Sequence, residues 1–332
     1  MNFCMEIDFV IPWVDGSDPK WLEQRKRYSK TLVDDSPCRF RDWDLLPYWF
    51  RAVEAYAPWV HRIHFVTWDQ VPPWLQTTHP KLHLIDHKDY IPKEYLPTFS
   101  SHTIELNFHR IPSLTEHFVY FNDDMFLNAP VKKEDFFRNG LPCDRSVLSA
   151  FSPMDVCDPY THAQCNVMGF LNQHFHKRSV ILKNPGKWFN PKYGKGLLKN
   201  IYCFPFKYFS NFENQHIPSS MLKSTYQRVW ELAPDLLHNT CLHKFRDIGD
   251  VNQYIMSYYN LCTGQFYPRP SNFGKCYGIG RQNQMLYNDI LHGIHKTICI
   301  NDHPYIQDFE SEKQTLLSFY NQKLPKKSSF EI

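Results

Sequence analysis

The chain has 332 residues, 42% of them hydrophobic and 16% aromatic, with a formal net charge of +3. That length supports one large domain or two small ones with a sizeable core. No Lys/Arg run dominates, no apolar stretch approaches a membrane span, and no basic-then-apolar leader opens the chain, so neither a nucleic-acid binder nor a spanning protein is expected.

Residues 7–14, IDFVIPWV, read as a first buried strand. It runs into Asp15-Gly16-Ser17-Asp18-Pro19, a turn by composition. Small residues and open N–H groups after a strand suit a nucleotide's phosphates or base, and an ordinary surface turn is the competing reading. Trp13, Gly16 and Asp18 are the substrate-binding candidates of this stretch. Arg39, Arg41 and Asp42 precede a helix expected over 44–57, with Leu45, Leu46, Trp49, Val53 and Tyr56 on one face. Strands follow at 63–67 and 82–86. Strand, helix, strand in this order predicts a parallel sheet with right-handed crossovers.

A helix is expected over 103–110, bringing His102, Glu105 and His109 near one face. The chain is organised around what comes next, Phe118-Val119-Tyr120-Phe121-Asn122-Asp123-Asp124. Four β-formers predict a buried strand. Two adjacent carboxylates at its end repel each other and call for a cation. Ligands of open α/β sheets bind at the carboxyl ends of strands. A divalent ion on Asp123 and Asp124, holding a diphosphate, is the sharp reading, and an acidic surface turn the bland one.

Residues 140–210 show no clear period and predict a loop-rich lobe. Lys183, Lys187, Lys192 and Lys195 lie there as solvated lysines or a phosphate path. Pro218 suits the first position of a helix running to residue 232. His216 would then sit at a helix N-terminus, where anions bind. Arg246 adds a guanidinium suited to bidentate phosphate contact. A last strand over 297–302 ends in Asn301-Asp302. The ten cysteines are scattered without a Cys-x-x-Cys pair and read as mostly buried thiols of a reducing cytosol.

Together these segments resemble the Stealth family, which includes bacterial capsular and exopolysaccharide sugar-phosphate transferases and the catalytic subunit of the lysosomal-enzyme GlcNAc-1-phosphotransferase. Four blocks in order carry the resemblance: 7–21 (IDFVIPWVDGSDPKW), 39–130 (with YAPWVHRIHFVT, VPPWL and HFVYFNDDMFL), 211–250, and 299–331 (CIND, then LPKKSSFE). The chain departs at Ser100-Ser101-His102, where the family pattern has Asn-Ser-His.

The resemblance implies a mostly parallel, Rossmann-like (GT-A-like) α/β sheet in a single catalytic domain. Residues 1–139 would form the nucleotide-sugar and metal core, 140–210 the acceptor side, and 211–332 the part that completes the site. It implies transfer of a sugar 1-phosphate from a UDP-sugar to a hydroxyl of a glycan or lipid-linked glycan, releasing UMP. His216, Arg246, Asp15 and Glu105 would be catalytic, with His216 first choice for base and Asp15 or Glu105 as rivals. Asp123 and Asp124 would hold Mg²⁺ or Mn²⁺. Trp13, Gly16, Asp18, Arg39, Arg41, His102, Asn301 and Asp302 would bind substrate. The expected location is the cytoplasm, with peripheral association at the inner membrane face. The alternatives are a metal-dependent glycosyltransferase releasing UDP and a non-enzymatic glycan-binding module. The latter leaves the two Asn-Asp strand ends, the His and the Arg unexplained.

Overall fold

A computed structural model describes residues 5–29, 41–151, 158–280, 282–302 and 306–332. The strands in chain order are β1 (Ile7–Pro12), β2 (Ile63–Thr67), β3 (Leu82–Asp86), β4 (His117–Tyr120), β5 (Met125–Leu127), β6 (Phe137–Arg138), β7 (Leu141–Asp144), β8 (Ser219–Leu222), β9 (Tyr267–Pro268), β10 (Gly274–Gly278) and β11 (Thr297–Asn301). The main sheet has the order β3-β2-β1-β4-β8. Its first four strands are parallel, and β8 closes the edge antiparallel to β4.

Side chains alternate across this sheet, as a two-residue period requires. Phe9, Ile11, Phe65, Val119 and Phe121 enter one apolar cluster with helix α2 (Leu46–Tyr56). Val10, Val66, Phe118, Tyr120 and Met221 enter a second cluster on the opposite face. Burying a Phe fully contributes roughly 1.5–3 kcal/mol. With both faces covered, the strands read as continuous apolar runs, which is why 118–121 shows no alternation.

The second cluster packs the sheet against helices. Helix α1 (Pro19–Tyr28) follows the β1 turn, and α3 (Ser101–Leu106) precedes β4. Helix α4 is the single turn Lys133–Phe136. The segment expected as loop-rich is instead helical: α5 (Pro159–His174), α6 (Lys177–Lys183), α7 (Pro185–Trp188) and α8 (Gly196–Cys203). Helices α6, α7 and α8 are short and separated by Pro, Gly and Asn, so no 3.6 period can be read in them, while the longer α5 mixes His, Gln and Asn among its apolar residues. Helices α9 (Lys223–Leu232), α10 (Pro234–Leu242), α11 (Tyr254–Thr263), α12 (Gln284–His292) and α13 (Phe309–Lys323) complete the chain. Among the described residues, no helix is long and apolar enough to cross a membrane.

Two further expectations are corrected. Helix α3 ends at Leu106, and Phe108–Arg110 forms a separate 3-10 turn. Pro218 starts no helix. Ser219–Leu222 pairs instead with β4, and α9 begins at Lys223. A non-local pairing won over local propensity there. His216 therefore lies in the loop before β8 rather than at a helix N-terminus.

Candidate active site

The acidic turn lies where two sheets meet. The Phe121 N–H donates to the Val10 carbonyl at 2.9 Å, prolonging the β4 ladder to the edge of the turn. The Met125 N–H then closes on the Asn122 carbonyl at 3.1 Å, and β5 leaves to pair antiparallel with β11. The Ile300 N–H donates to the Asp124 carbonyl at 2.8 Å, which locks the turn to the strand that ends in Asn301. Both Asn-Asp ends therefore face one cleft.

That cleft has a volume of about 540 Å³. Of the residues singled out in the sequence, Trp13, Arg41, His102, Glu105, Asp123, Asp124, His216, Arg246, Asn301 and Asp302 line it. Asp15, Gly16 and Asp18 do not. The Asp15 carboxylate accepts from the Ser17 N–H at 2.8 Å and the Ser17 hydroxyl at 2.6 Å, and Asp18 caps α1. Arg39 lies outside the described residues.

Asp124 is the hub. Its Oδ2 lies 3.3 Å from His216 Nε2 and accepts from the Cys299 thiol at 3.2 Å. Its Oδ1 is buried and accepts no hydrogen bond among the described residues, which leaves an acceptor unused. Asp123 lines the cleft and is exposed to it. Its pKa is pushed up to about 7, first by desolvation and second by the charge of Asp124. An unused oxygen and a like-charge strain are what a cation relieves. Asp124, His216 and Cys299 place one ligand atom each within 4.8 Å of one another. Burial pushes the Cys299 thiol well up, so it serves Asp124 as a donor. With that thiol set aside, Asp124 offers the group its one carboxylate, and it and the neighbouring Asp123 are the oxygen donors a hard divalent cation would take.

His216 is held from both ends. The Tyr254 hydroxyl lies 3.1 Å from Nδ1, and the Asn214 side chain accepts from the His216 N–H at 2.8 Å. Its φ of +48° is left-handed, a conformation that costs a residue with a side chain and that clusters at working sites. Burial alone would lower its pKa, but the hydrogen bond and charge of Asp124 outweigh it and the net shift is upward.

Two guanidinium groups also line the cleft. An Arg246 Nη donates to the Ser101 hydroxyl at 2.7 Å. Arg41 makes a two-pronged pair with Asp302 at 2.9 and 2.6 Å, and the Trp43 indole donates to the same carboxylate at 3.2 Å. Glu105 sits beneath. Burial pushes its pKa up, while His102, the Tyr120 hydroxyl at 2.8 Å and Arg246 pull against that. The buried Asp250 orients His102 at 3.1 Å and His243 at 2.7 Å.

Sequence reasoning missed Trp43, Tyr160, Asn252, Gln253 and Tyr254 on the cleft wall, and gave Asp42 no role there. Asp42 carried a signal in its place beside Arg41. The tyrosines carried none, because nothing local distinguishes a cleft tyrosine from a core one.

A parallel α/β sheet with carboxylates, an imidazole and guanidinium groups gathered at its carboxyl edge defines an enzyme. The family pattern described as Stealth protein CR1, conserved region 1, matches residues 5–33, and Stealth protein CR2, conserved region 2, matches residues 39–143. The chain is 44% identical over 328 residues to the exopolysaccharide phosphotransferase cps2G of Lactiplantibacillus plantarum, covering 98% of this chain and 96% of the relative. It is 41% identical to the capsular polysaccharide phosphotransferase WcwK of Streptococcus pneumoniae, covering 100% and 99%. It is 38% identical to the receptor polysaccharide phosphotransferase WefC of Streptococcus gordonii, covering 98% and 99%. Among solved structures, a galactosyltransferase LgtC in complex with donor and acceptor sugar analogs aligns at TM-score 0.40 and 10% identity, covering 97% of this chain and 98% of that one. The chain belongs to the Stealth family.

Proposed function

We propose that the cleft transfers a hexose or N-acetylhexosamine 1-phosphate from a UDP-sugar to a glycan hydroxyl, releasing UMP, in the synthesis of a capsular, exopolysaccharide or other cell-surface glycan. The observation that carries this reading is the gathering in one cleft of Asp123, Asp124 and His216 with Arg246 and Arg41. Phosphoryl chemistry needs charge neutralisation and a placed base more than covalent help. Relatives named phosphotransferases, matching at 38–44% identity over nearly the whole chain, support it.

The acceptor oxygen attacks the phosphorus that carries the sugar. The bond from that phosphorus to the UMP oxygen breaks, and UMP leaves. The acceptor proton goes to His216 Nε2, whose ring is fixed by Tyr254. Arg246 takes the charge that grows on the phosphoryl oxygens, and Ser101 holds its fork in place. Glu105 supports that guanidinium as a buried counter-charge. Asp123 and Asp124 would hold Mg²⁺ or Mn²⁺, which supplies positive charge against the diphosphate. Trp13 offers an apolar face at the end of β1 for the base. Asn301 and the Arg41–Asp302 pair frame the donor. Because the bond to the anomeric carbon stays intact, its configuration is retained.

A panel of UDP-sugars incubated with protein, Mg²⁺ or Mn²⁺ and acceptor glycan tests this by mass detection of the nucleotide product. UMP supports the reading. UDP would assign the cleft to a glycosyltransferase attacking the anomeric carbon.

A further inference from the structure

Between Asp158 and Glu213 the chain carries eight Lys or Arg residues and no Asp or Glu. The same stretch holds an unusual share of exposed large apolar side chains. Leu182, Leu198, Ile201, Tyr202, Phe206 and Tyr208 are all exposed, Leu198 to 67% and Tyr202 to 72%. Single exposed apolar residues need no explanation, but a group of them on one lobe does.

These residues form one face. On α8, Leu198, Ile201 and Tyr202 lie three and four positions apart. The Tyr202 ring meets the Phe206 ring edge-on at 5.8 Å, carrying the face past the helix end. Helix α6 joins it through Arg178, whose Nη donates to the Pro205 carbonyl at 3.2 Å. Leu182 lies one turn further along the same side of α6. The turn that presents Phe206 is firmly built: buried Lys177 donates from Nζ to the Cys203 carbonyl at 2.5 Å and the Phe206 carbonyl at 3.1 Å. Exposed Arg178, Lys183, Lys195 and Lys207 rim the face, and Lys207 lies over the Tyr208 ring at 5.0 Å.

We propose that this face docks on a lipid bilayer carrying anionic headgroups. A protein partner would favour the aromatics but not the lysines, which protein interfaces deplete. An anionic membrane surface rewards both: aromatic and aliphatic tips enter the headgroup boundary while the basic rim meets the lipid charge. The length of α5 connects this face to the cleft. Tyr160 at its start lines the cleft, and Asn172 near its end is tied to Phe209 by bonds of 2.9 and 2.8 Å. Tyr160 and Asn172 are twelve residues apart on this helix, about 18 Å along its axis, so the cleft and the face lie towards its opposite ends. This is independent of which reaction the cleft performs.

Flotation of the full chain with vesicles tests it. The protein should float with phosphatidylcholine vesicles containing phosphatidylglycerol, far less with pure phosphatidylcholine, and less in high salt. The pair Ile201→Asp and Tyr202→Asp should abolish flotation with an unchanged melting temperature. Each of Lys183→Glu, Lys195→Glu and Lys207→Glu should weaken it by about fivefold or more. Failure of the wild type to float, or flotation unaffected by both sets of variants, would overturn the proposal. So would a soluble dimer that the aspartate pair makes monomeric, since the face would then belong to a second copy.

Discussion

Asp124 Oδ2 and His216 Nε2 stand 3.3 Å apart in the cleft, although 92 residues separate them in the chain. The two loops meet because β4 and β8 are paired neighbours in the main sheet. The carboxylate stabilises the imidazolium, so His216 holds its proton to higher pH than an ordinary histidine. In metal-free protein, NMR titration of the His216 ring should therefore give a midpoint above the usual value of about 6.5. Asp124→Asn should move that midpoint down. An unchanged midpoint in the variant would show that the pair is not electrostatically coupled.

His216 as the base sets a second expectation. A base must be neutral, so turnover should rise with pH through the His216 pKa and then level off. His216→Gln should cut kcat about a hundred- to ten-thousand-fold and flatten that limb. A raised KM with the pH profile intact would make His216 a phosphate ligand instead, and near-wild-type kinetics would move the base to Glu105, the rival that lines the cleft.

Asp123 gives the metal a pH dependence. Its folded pKa of about 7 means that the metal-free site takes up a proton as pH falls through neutrality. Metal and proton compete for that carboxylate, so affinity should weaken below pH about 7 by roughly tenfold per unit and flatten above it. Calorimetric titration with Mn²⁺ over the acid and alkaline sides checks this. Asp123→Ala should remove the dependence and most of the binding, and Asp124→Ala most of the binding. Full activity of both variants in EDTA would leave the carboxylates without a metal role.

Arg246 is expected to act through geometry as well as charge. Its fork is set by Ser101 at 2.7 Å. Arg246→Lys keeps the charge and loses the planar pair of donors. It should remain impaired by about a hundredfold or more in kcat/KM. Ser101→Ala, which only loosens the fork, should cost much less. Wild-type kinetics in Arg246→Lys would reduce the residue to a point charge.

Much of the sheet was legible because its strands are short, apolar and bounded. Ile63–Thr67 and Leu82–Asp86 form with the bounds their sequence suggests, and Thr297–Asn301 stops one residue short of the expected end. The acidic end of the 118–121 strand was legible too, since two carboxylates after four β-formers have no comfortable bland place. The β8 strand was not legible. Ser219–Leu222 has weak local preference and becomes a strand only because the β4 edge is open beside it. The lobe after residue 158 was misread for the opposite reason: α6, α7 and α8 are real but too short to show a period, and α5 mixes His, Gln and Asn among its apolar residues. In the site, charged residues announced themselves, whereas Tyr254 and Cys299, which steady His216 and Asp124, look like core residues until the fold turns them inward.

The central claim is that the phosphate travels with the sugar. Phosphorus NMR of the purified acceptor product, after reaction with a UDP-sugar, tests it most directly. The account predicts a phosphodiester signal coupled both to the donor's anomeric carbon, with its configuration retained, and to an acceptor carbon. A phosphorus-free glycosidic product alongside UDP would contradict it.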